Sequence, residues 1–517
     1  MTINLFTKIN KLSDLQLKLI LVLIAMLIAI QIQYIQHGWI NPDSVLYFES
    51  AKLFAIGRWH EGFNVFKWPA YSILIAATHK VTTLSIHHSA QCLSVIFFGI
   101  TTASFLKIIE LAGGDKKALI AGALTLFSAS YLVGDILAML LRDQGFWAFF
   151  LTGLVFFIRF YRTYTYKDAI FWQISMIIAT LFRIEGITYL IALPLILLIN
   201  HDHKFTASLS NFIKCNCINI FAVLTIIFLV AVFKIIPIEN LGRLNEVFTF
   251  QLYDQLTHNL FARSAIMNSQ VLGRYLNEYG TEAILLAFVY VMLTKTIFAT
   301  GVVNSVFAVM ALKSNEIRLN KDAKDVLSVA AIIAIANMAL IITKSFVLSS
   351  RYILALSLIL MVFASFYLAY IFKLICWQPQ TNSKKKWLII SLLALMLTSL
   401  VSNMLPKKDG YNYIQQTVTW LMQNNPSKQT VFYDDSRARF YANAPFIGTW
   451  DDNWAVVNSA INRDDLKQYK FLVISYSNKH PEREQMLRNK TPQFSEVKRF
   501  GDPKNKKIMV IYKRKDT

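Results

Sequence analysis

Charge is scarce in this chain. Asp, Glu, Lys and Arg together make 16% of 517 residues, while 55% are hydrophobic and 38 are Phe. That balance excludes a soluble domain of this length and points to a polytopic membrane protein. Cysteine is scarcer still. Cys92, Cys215, Cys217 and Cys376 fall within or at the ends of apolar runs, so no disulfide framework is implied. Cys215-x-Cys217 lacks a second pair at metal spacing, which argues against a zinc site. No Walker-type phosphate loop and no Gly-x-Gly-x-x-Gly fingerprint occurs, which argues against nucleotide-driven transport. The two halves also lack a matched pair of Gly/Pro-broken helices, the sign of an inverted-repeat transporter. A lipid or glycan transporter or flippase is the alternative class, and these absences weigh against it.

The apolar residues form runs of membrane length. A crossing needs roughly 20 predominantly apolar residues, and about eleven such runs can be read. They are 17–36, 89–111, 117–133, 144–160, 168–182, 186–200, 215–236, 281–311, 325–343, 352–374 and 387–403. The first lacks a small-residue cleavage site and reads as a retained anchor. With a cytoplasmic N-terminus, the inner segments carry Lys116-Lys117, Arg159, Arg162, Lys167, Lys313, Arg318, Lys321, Lys324 and Lys384-Lys385-Lys386. The outer turns carry few, as the positive-inside rule requires. An odd number of crossings then places 404–517 outside, with loops 37–88 and 237–280. The net charge of +21 is explained by cytoplasmic anchors and a basic tail, with anionic membrane lipid as partner and no nucleic acid.

Two outer segments have structure of their own. "NPDSVLYFESAKLFAIG" predicts an amphipathic helix from Asn41 to near Gly57. "FKWPAYSILIAATHK" follows as an apolar stretch too short to cross, with Trp59, Trp68 and Tyr71 suited to interfacial depth. Together they read as a re-entrant lid. Beyond Pro406 the composition turns polar. The runs "QTVFYDD", "KFLVISYSN" and "KKIMVIYKR" predict three strands, alternating with helical stretches such as "YNYIQQTVTWLMQNN" and "PEREQMLRN". The expected architecture is thus a helical membrane domain, 1–403, and a small C-terminal α/β extracytoplasmic domain, 404–517. Asp434-Asp435 closes the first of these strands and reads as turn capping rather than catalysis.

Charge at membrane depth costs several kcal/mol unless paired or wet. On the predicted topology the unusual charges gather on the outer side: Asp43, Arg142-Asp143, Arg183-Ile184-Glu185, Lys344 and Ser350-Arg351-Tyr352. Each has a plain structural reading. Asn41-Pro42-Asp43 is a good helix start, so Asp43 reads as a capping acid as readily as a catalyst. Arg183 can pair with Glu185, and Lys344 and Arg351 can snorkel to lipid phosphates. Their common side favours a charged cavity. His60-Glu61 and His87-His88 read as interfacial polar residues, and no compact His/Asp/Cys cluster specifies a metal.

These residues resemble the GT-C superfamily of polytopic glycosyltransferases, in the branch of protein O-mannosyltransferases and the lipid A aminoarabinose transferase. "DSVLYFESAKLFAIG" matches that branch's first outer loop, D-x-x-x-Y-x-x-x-A-x-x-x-x-x-G, at Asp43, Tyr47, Ala51 and Gly57. "LRDQGFWAFFLTGLVFFIRFY", "ATLFRIEGITYLIALPLIL" and "SSRYILALSLIL" are similar to later landmarks. Ser44 follows Asp43 where several members have a second acid; Asp143 is preferred to Glu49 for that part.

The resemblance implies an inverting glycosyltransferase of the bacterial inner membrane. It would move a sugar from a polyprenyl phosphate to a hydroxyl of a lipid, glycan or protein. Asp43 would be the general base and Asp143 a second catalytic acid. Arg351 and Arg183, with Lys344 and Arg58 behind them, would bind the donor phosphate, and Glu185, Tyr47 and Tyr352 would position substrate. No cofactor is required, and a divalent cation is left open.

Overall fold

The computed structural model describes residues 11–36, 39–199, 204–222, 225, 251–377, 383–405, 412–449, 452–502 and 507–515. They form two compact units. The first comprises Met1–Gln31, Cys92–Leu137 and Arg142–Met404; the second comprises Ile32–Gln91, Ala138–Leu141 and Leu405–Thr517.

Among the described residues, six helices are long and apolar enough to cross a membrane. They are Asp14–Ile35, Ile86–Leu111, Asp143–Thr163, Gly280–Thr300, Lys321–Ser345 and Ser350–Leu374; Lys116–Phe127 with Ser130–Met139, bent by 50°, makes a seventh if counted as one span. Gly186–Ile199, Val302–Lys313 and Ile389–Asn403 are shorter apolar helices. The chain is a multi-pass helical protein, but the expected eleven long crossings are not all there. Residues 281–311 break at Gly301, whose φ of +90° ends one helix and begins the next. The 168–182 run is a helix of 17 residues, Tyr166–Phe182, about 26 Å long and short of the roughly 30 Å hydrocarbon core. Most of the expected 215–236 crossing lies outside the described residues, as do the start of the 237–280 loop and the side chains of Cys376 and Lys384–Lys386. Cys92, Cys215 and Cys217 are free thiols.

Burial follows helical period. In the first helix Leu15, Leu19, Leu23, Leu27 and Ile30 are exposed, while Leu17, Leu21, Ala25 and Ile28 are buried. An exposed apolar stripe of this kind is what a bilayer covers.

In the second unit, the first loop folds as helices Pro42–Ala55, Trp59–Val65 and Ala70–Thr82. Asn41 is the expected N-cap, accepting from the Asp43 N–H at 3.0 Å, with Pro42 at the first helical position. Gly57, at φ +81°, ends the helix as expected. Glu49, set aside as a polar-face acid, pairs with Lys52 at 2.8 Å. Of the three aromatics expected at the interface, only Trp59 is exposed. Trp68 and Tyr71 are buried, and Tyr71 meets the ring of Tyr47 edge-on at 5.5 Å. Packing between the loop's own helices outweighs their interfacial preference.

The C-terminal segment of the same unit is a mixed sheet in the order β1-β2-β4-β3, made of β1 (Val431–Tyr433), β2 (Phe471–Ser477), β3 (Phe494–Asp502) and β4 (Lys507–Arg514). β1 and β2 are parallel; β4 is antiparallel to β2 and β3. The unbroken apolar runs of β2 and β4 reflect burial on both faces. Leu472, Ile474 and Val510 pack under Asn453–Asn462 and Glu482–Lys490 on one side. Val473, Met509 and Ile511 pack under Asn412–Asn424 on the other. The three expected strands are present. The fourth, β3, escaped the sequence reading because it is an edge strand whose Glu496, Lys498 and Arg499 hide its alternation.

Asp434 and Asp435 stand just after β1, and both are buried. Asp435 caps the short helix Ser436–Tyr441 and grips Arg437. Burial would raise its carboxyl, but the charge and hydrogen bonds of Arg437 outweigh that and hold it below the ordinary range. Asp434 accepts from Ser475 N–H at 2.8 Å and Ser475 Oγ at 2.6 Å through one oxygen. Its other oxygen is buried with no hydrogen-bond partner among the described residues. Burial, with Asp435 adding to it against the Ser475 bonds, pushes Asp434 up to about 8. The folded domain therefore holds a proton that the unfolded chain releases near pH 4, and this group's contribution to stability falls as pH rises across that window. Hydrogen exchange of β1 and β2 amides in the full-length protein, corrected for intrinsic rates, should lose protection from the acid to the alkaline end. Asp434→Asn should flatten that dependence; an unchanged slope would remove Asp434 as its source.

Candidate functional site

Two acids and a base separated in sequence meet at the ends of three helices in the first unit. Asp143 lies in the first turn of Asp143–Thr163. Helix Tyr166–Phe182 stops at Arg183, whose extended backbone (φ −144°, ψ 128°) turns the chain, and Glu185 stands just before Gly186–Ala192 without capping it by its side chain. Two glycines make the approach possible. A Cβ on Gly145 would enter the Phe182 ring, and one on Gly186 would sit 2.6 Å from Thr180 Oγ1 and 2.9 Å from its backbone. The "RDQG" and "RIEG" patterns thus have a steric cause: each glycine stands close behind an acid where backbones and rings crowd.

The guanidinium of Arg183 is the centre. It donates through Nη1 to Asp143 Oδ1, and through Nη2 and Nε to Glu185 at 2.9 and 3.2 Å. It also lies 4.3 Å from the ring centroid of Tyr352. Asp143 is 1% exposed and Arg183 4%, so neither charge has water to solvate it and each depends on the other. Two carboxylates share one guanidinium, with Arg142 near enough to act on Glu185 through space. The Oδ2 atom of Asp143 is buried with no hydrogen-bond partner among the described residues. It is an acceptor in a low-dielectric site, able to take a hydroxyl proton's hydrogen bond or to face a cation.

Beside it, Arg351 and Tyr352 occupy the short helix Ser350–Ile353. Tyr131 hydrogen-bonds the side chains of Ser349 and Ser350 and lies in the field of Arg351 and Asp143. Lys344 is in the last turn of Lys321–Ser345, and its carbonyl accepts from Asn259 at 3.3 Å. Lys295 donates to the Leu348 carbonyl in the same turn region. Sequence reasoning missed Tyr131 and Lys295. Tyr131 sits in an irregular helical turn, Ser130–Ile136, that carries no periodic signal; Lys295, a lone cation inside an apolar run, was the available clue.

The structure therefore brings Asp143, Arg183, Glu185 and Tyr352 into one cluster, with Arg351 next in sequence to it. Asp43, Tyr47 and Arg58 belong to the second unit. Asp43 is half-buried at its helix start; Tyr47 is buried against Phe66 and Tyr71; Arg58 is exposed and paired with Glu61. Among the described residues no group of three or more His, Cys, Asp or Glu side chains is placed to hold a metal.

No protein-family model and no curated protein matches the sequence. Solved structures do match. ArnT from Cupriavidus metallidurans bound to undecaprenyl phosphate superposes with a TM-score of 0.53 at 12% identity, over 95% of this chain and 97% of that one. Arabinofuranosyltransferase AftD from Mycobacteria superposes with a TM-score of 0.50 at 11% identity, over 98% of this chain and 42% of AftD. The chain thus shares the ArnT-like fold, over nearly its whole length.

Because Arg183 serves one buried acid, Asp143, and one half-buried acid, Glu185, the cluster's members are unequal. Arg183→Met should cost about 3–5 kcal/mol, the scale for orphaning a buried charge, and lower the thermal midpoint of the detergent-solubilised protein. Asp143→Asn, which leaves the Glu185 bridge in place, should cost clearly less. Equal losses would mean that the two bridges do not share the guanidinium's load.

Proposed function

We propose that this protein is an inverting membrane glycosyltransferase that moves a sugar from a polyprenyl phosphate to an acceptor hydroxyl. The observation that carries this reading is the buried Arg183 centre with its unpartnered Asp143 oxygen, in a chain whose fold is that of ArnT, solved with undecaprenyl phosphate. A sugar phosphoester is already activated, so the chemistry needs no nucleotide. It needs a carboxylate to take the acceptor proton and fixed cations to meet the charge that grows on the departing phosphate.

Asp43 is assigned the base: it opens a helix whose cap is supplied by Asn41, so its own carboxylate is not required for capping. Arg351 is assigned the phosphate, with Lys344, Arg183 and Arg58 as further cationic candidates. Arg183 already serves two carboxylates and would act chiefly by fixing them. Asp143 and Glu185 would orient the acceptor or a divalent cation, and Tyr352 and Tyr47 would shape the substrate's surroundings. The acceptor is a hydroxyl of a lipid, glycan or protein. Bacterial inner membrane is the proposed location, with the C-terminal domain and the 37–88 loop outside.

Orientation is checked by maleimide labelling of intact cells in a cysteine-free background. Ser427→Cys, exposed in the C-terminal domain, should react, and Asn315→Cys, exposed between Val302–Lys313 and Lys321–Ser345, should not. The reverse pattern would invert the topology.

The mechanism turns on Asp43→Asn. Asn keeps the shape of the side chain and the cap itself comes from Asn41, so expression should be unchanged and stability should fall by no more than about 1 kcal/mol, the scale of a first-turn carboxylate on the helix dipole. Transfer from a purified polyprenyl-phosphate sugar should drop on the order of a hundredfold or more. A folded variant with near wild-type transfer would remove Asp43 as the base.

A further inference from the structure

The second unit contains a cavity of about 400 Å³ that none of the preceding assignments uses. It opens at the carboxyl ends of the parallel pair β1 and β2, where Asp435 follows β1 and Ser475, Tyr476 and Ser477 close β2. In open α/β sheets that end of the strands is where ligands bind, because loops and helix starts diverge there and leave a crevice. The start of helix Asn453–Asn462 and the Asn41-Pro42 turn contribute further walls.

Its lining has two components. Trp39, Tyr413, Trp454 and Tyr476 supply flat apolar surface. Between them stand planar polar groups held rigidly by one another. Arg437 grips Asp435 at 2.6 and 3.0 Å, and Arg483 grips Asp452 at 3.0 and 3.2 Å. Asn453 bridges Asp435 and Ser475 at 3.3 and 3.2 Å. Each carboxylate is matched by a guanidinium, and Lys507 adds one exposed cation at the wall. A polyphosphate would meet two carboxylates without a clear excess of cations. An alkyl chain would have to desolvate two ion pairs. A peptide adding to the sheet would need a strand edge, and the crevice lies at strand ends.

A saccharide satisfies both components: its C–H faces lie on aromatic rings, and its neighbouring hydroxyl pairs donate to Asp carboxylates and accept from Asn and Arg. We propose that this cavity binds a saccharide of neutral or singly anionic character. Naming that saccharide as part of the acceptor rests on the glycosyl-transfer reading; the binding itself does not.

The test titrates the full-length protein in lipid nanodiscs with three synthetic tetrasaccharides, an α-mannoside, a β-N-acetylglucosaminide and a galactoside carrying a single galacturonic acid, followed by saturation-transfer NMR. At least one should bind with a Kd of about 1 mM or tighter. Arg483→Gln, which removes the ion pair to Asp452 and the guanidinium lying over the Trp454 ring, and Trp454→Ala should each weaken it about tenfold, while both are checked for an unchanged melting midpoint. Absence of binding by all three, or binding that Arg483→Gln leaves at wild-type strength, overturns the proposal. Undecaprenyl phosphate binding, read on the same samples by native mass spectrometry, reports separately on the transfer reading. Saccharide bound without the lipid would remove that reading and keep the cavity; lipid bound without any saccharide would do the opposite.

Discussion

One guanidinium shared by two carboxylates constrains the middle of this chain. Arg183 and Asp143 are tolerated away from water only because each satisfies the other, with the half-buried Glu185 as the guanidinium's second partner. Everything local follows from that need. Helix Tyr166–Phe182 has to end where it does so that Arg183 can turn inward, and Gly145 and Gly186 have to lack side chains so that the ring of Phe182 and the backbone of Thr180 can close around the cluster. A buried ion network of this kind is weak support for stability, since well-packed apolar residues would do as well. What distinguishes this network is that one acceptor, Asp143 Oδ2, is buried with no hydrogen-bond partner among the described residues, and it is on this atom that the proposed transfer would draw.

The C-terminal domain handles the same difficulty with a different result. Asp434 and Asp435 are adjacent and both buried, yet one is pushed toward its neutral form and the other held ionised. The difference is partner chemistry: a hydroxyl and an N–H from Ser475 do not neutralise charge, whereas Arg437 does. The sequence reading of this pair as structural agrees with Asp435 capping its helix. The same pair also stands where the sheet opens into its crevice, so structural anchoring and a ligand wall coexist in the same few residues.

The aromatics show where sequence logic overreached. Trp68 and Tyr71 have the composition of interfacial anchors, but they are packed inside the folded loop, because three short helices side by side offer an apolar interior that an isolated segment would lack. Likewise a continuous apolar run need not be one helix. Gly301 divides 281–311 with a single positive φ, a backbone choice invisible to hydropathy.

The sequence by itself determined the class and much of the fold. Apolar runs of membrane length, the Asn41-Pro42-Asp43 helix start, the two doubly buried strands and the order of the loop landmarks are local signals, each written within about 20 residues, the scale of one helix or strand. Pairing between Arg183 and Glu185 was legible for the same reason, being two positions apart. What only the tertiary structure decided was long-range. That Arg183 also holds Asp143, 40 positions away, that Tyr131 reaches Ser349 and Ser350, and that Asp452 with Arg483 joins Asp435 and Arg437 around one crevice depend on which helix and strand ends converge. Convergence is set by packing summed over the whole chain, and no short window of sequence contains it.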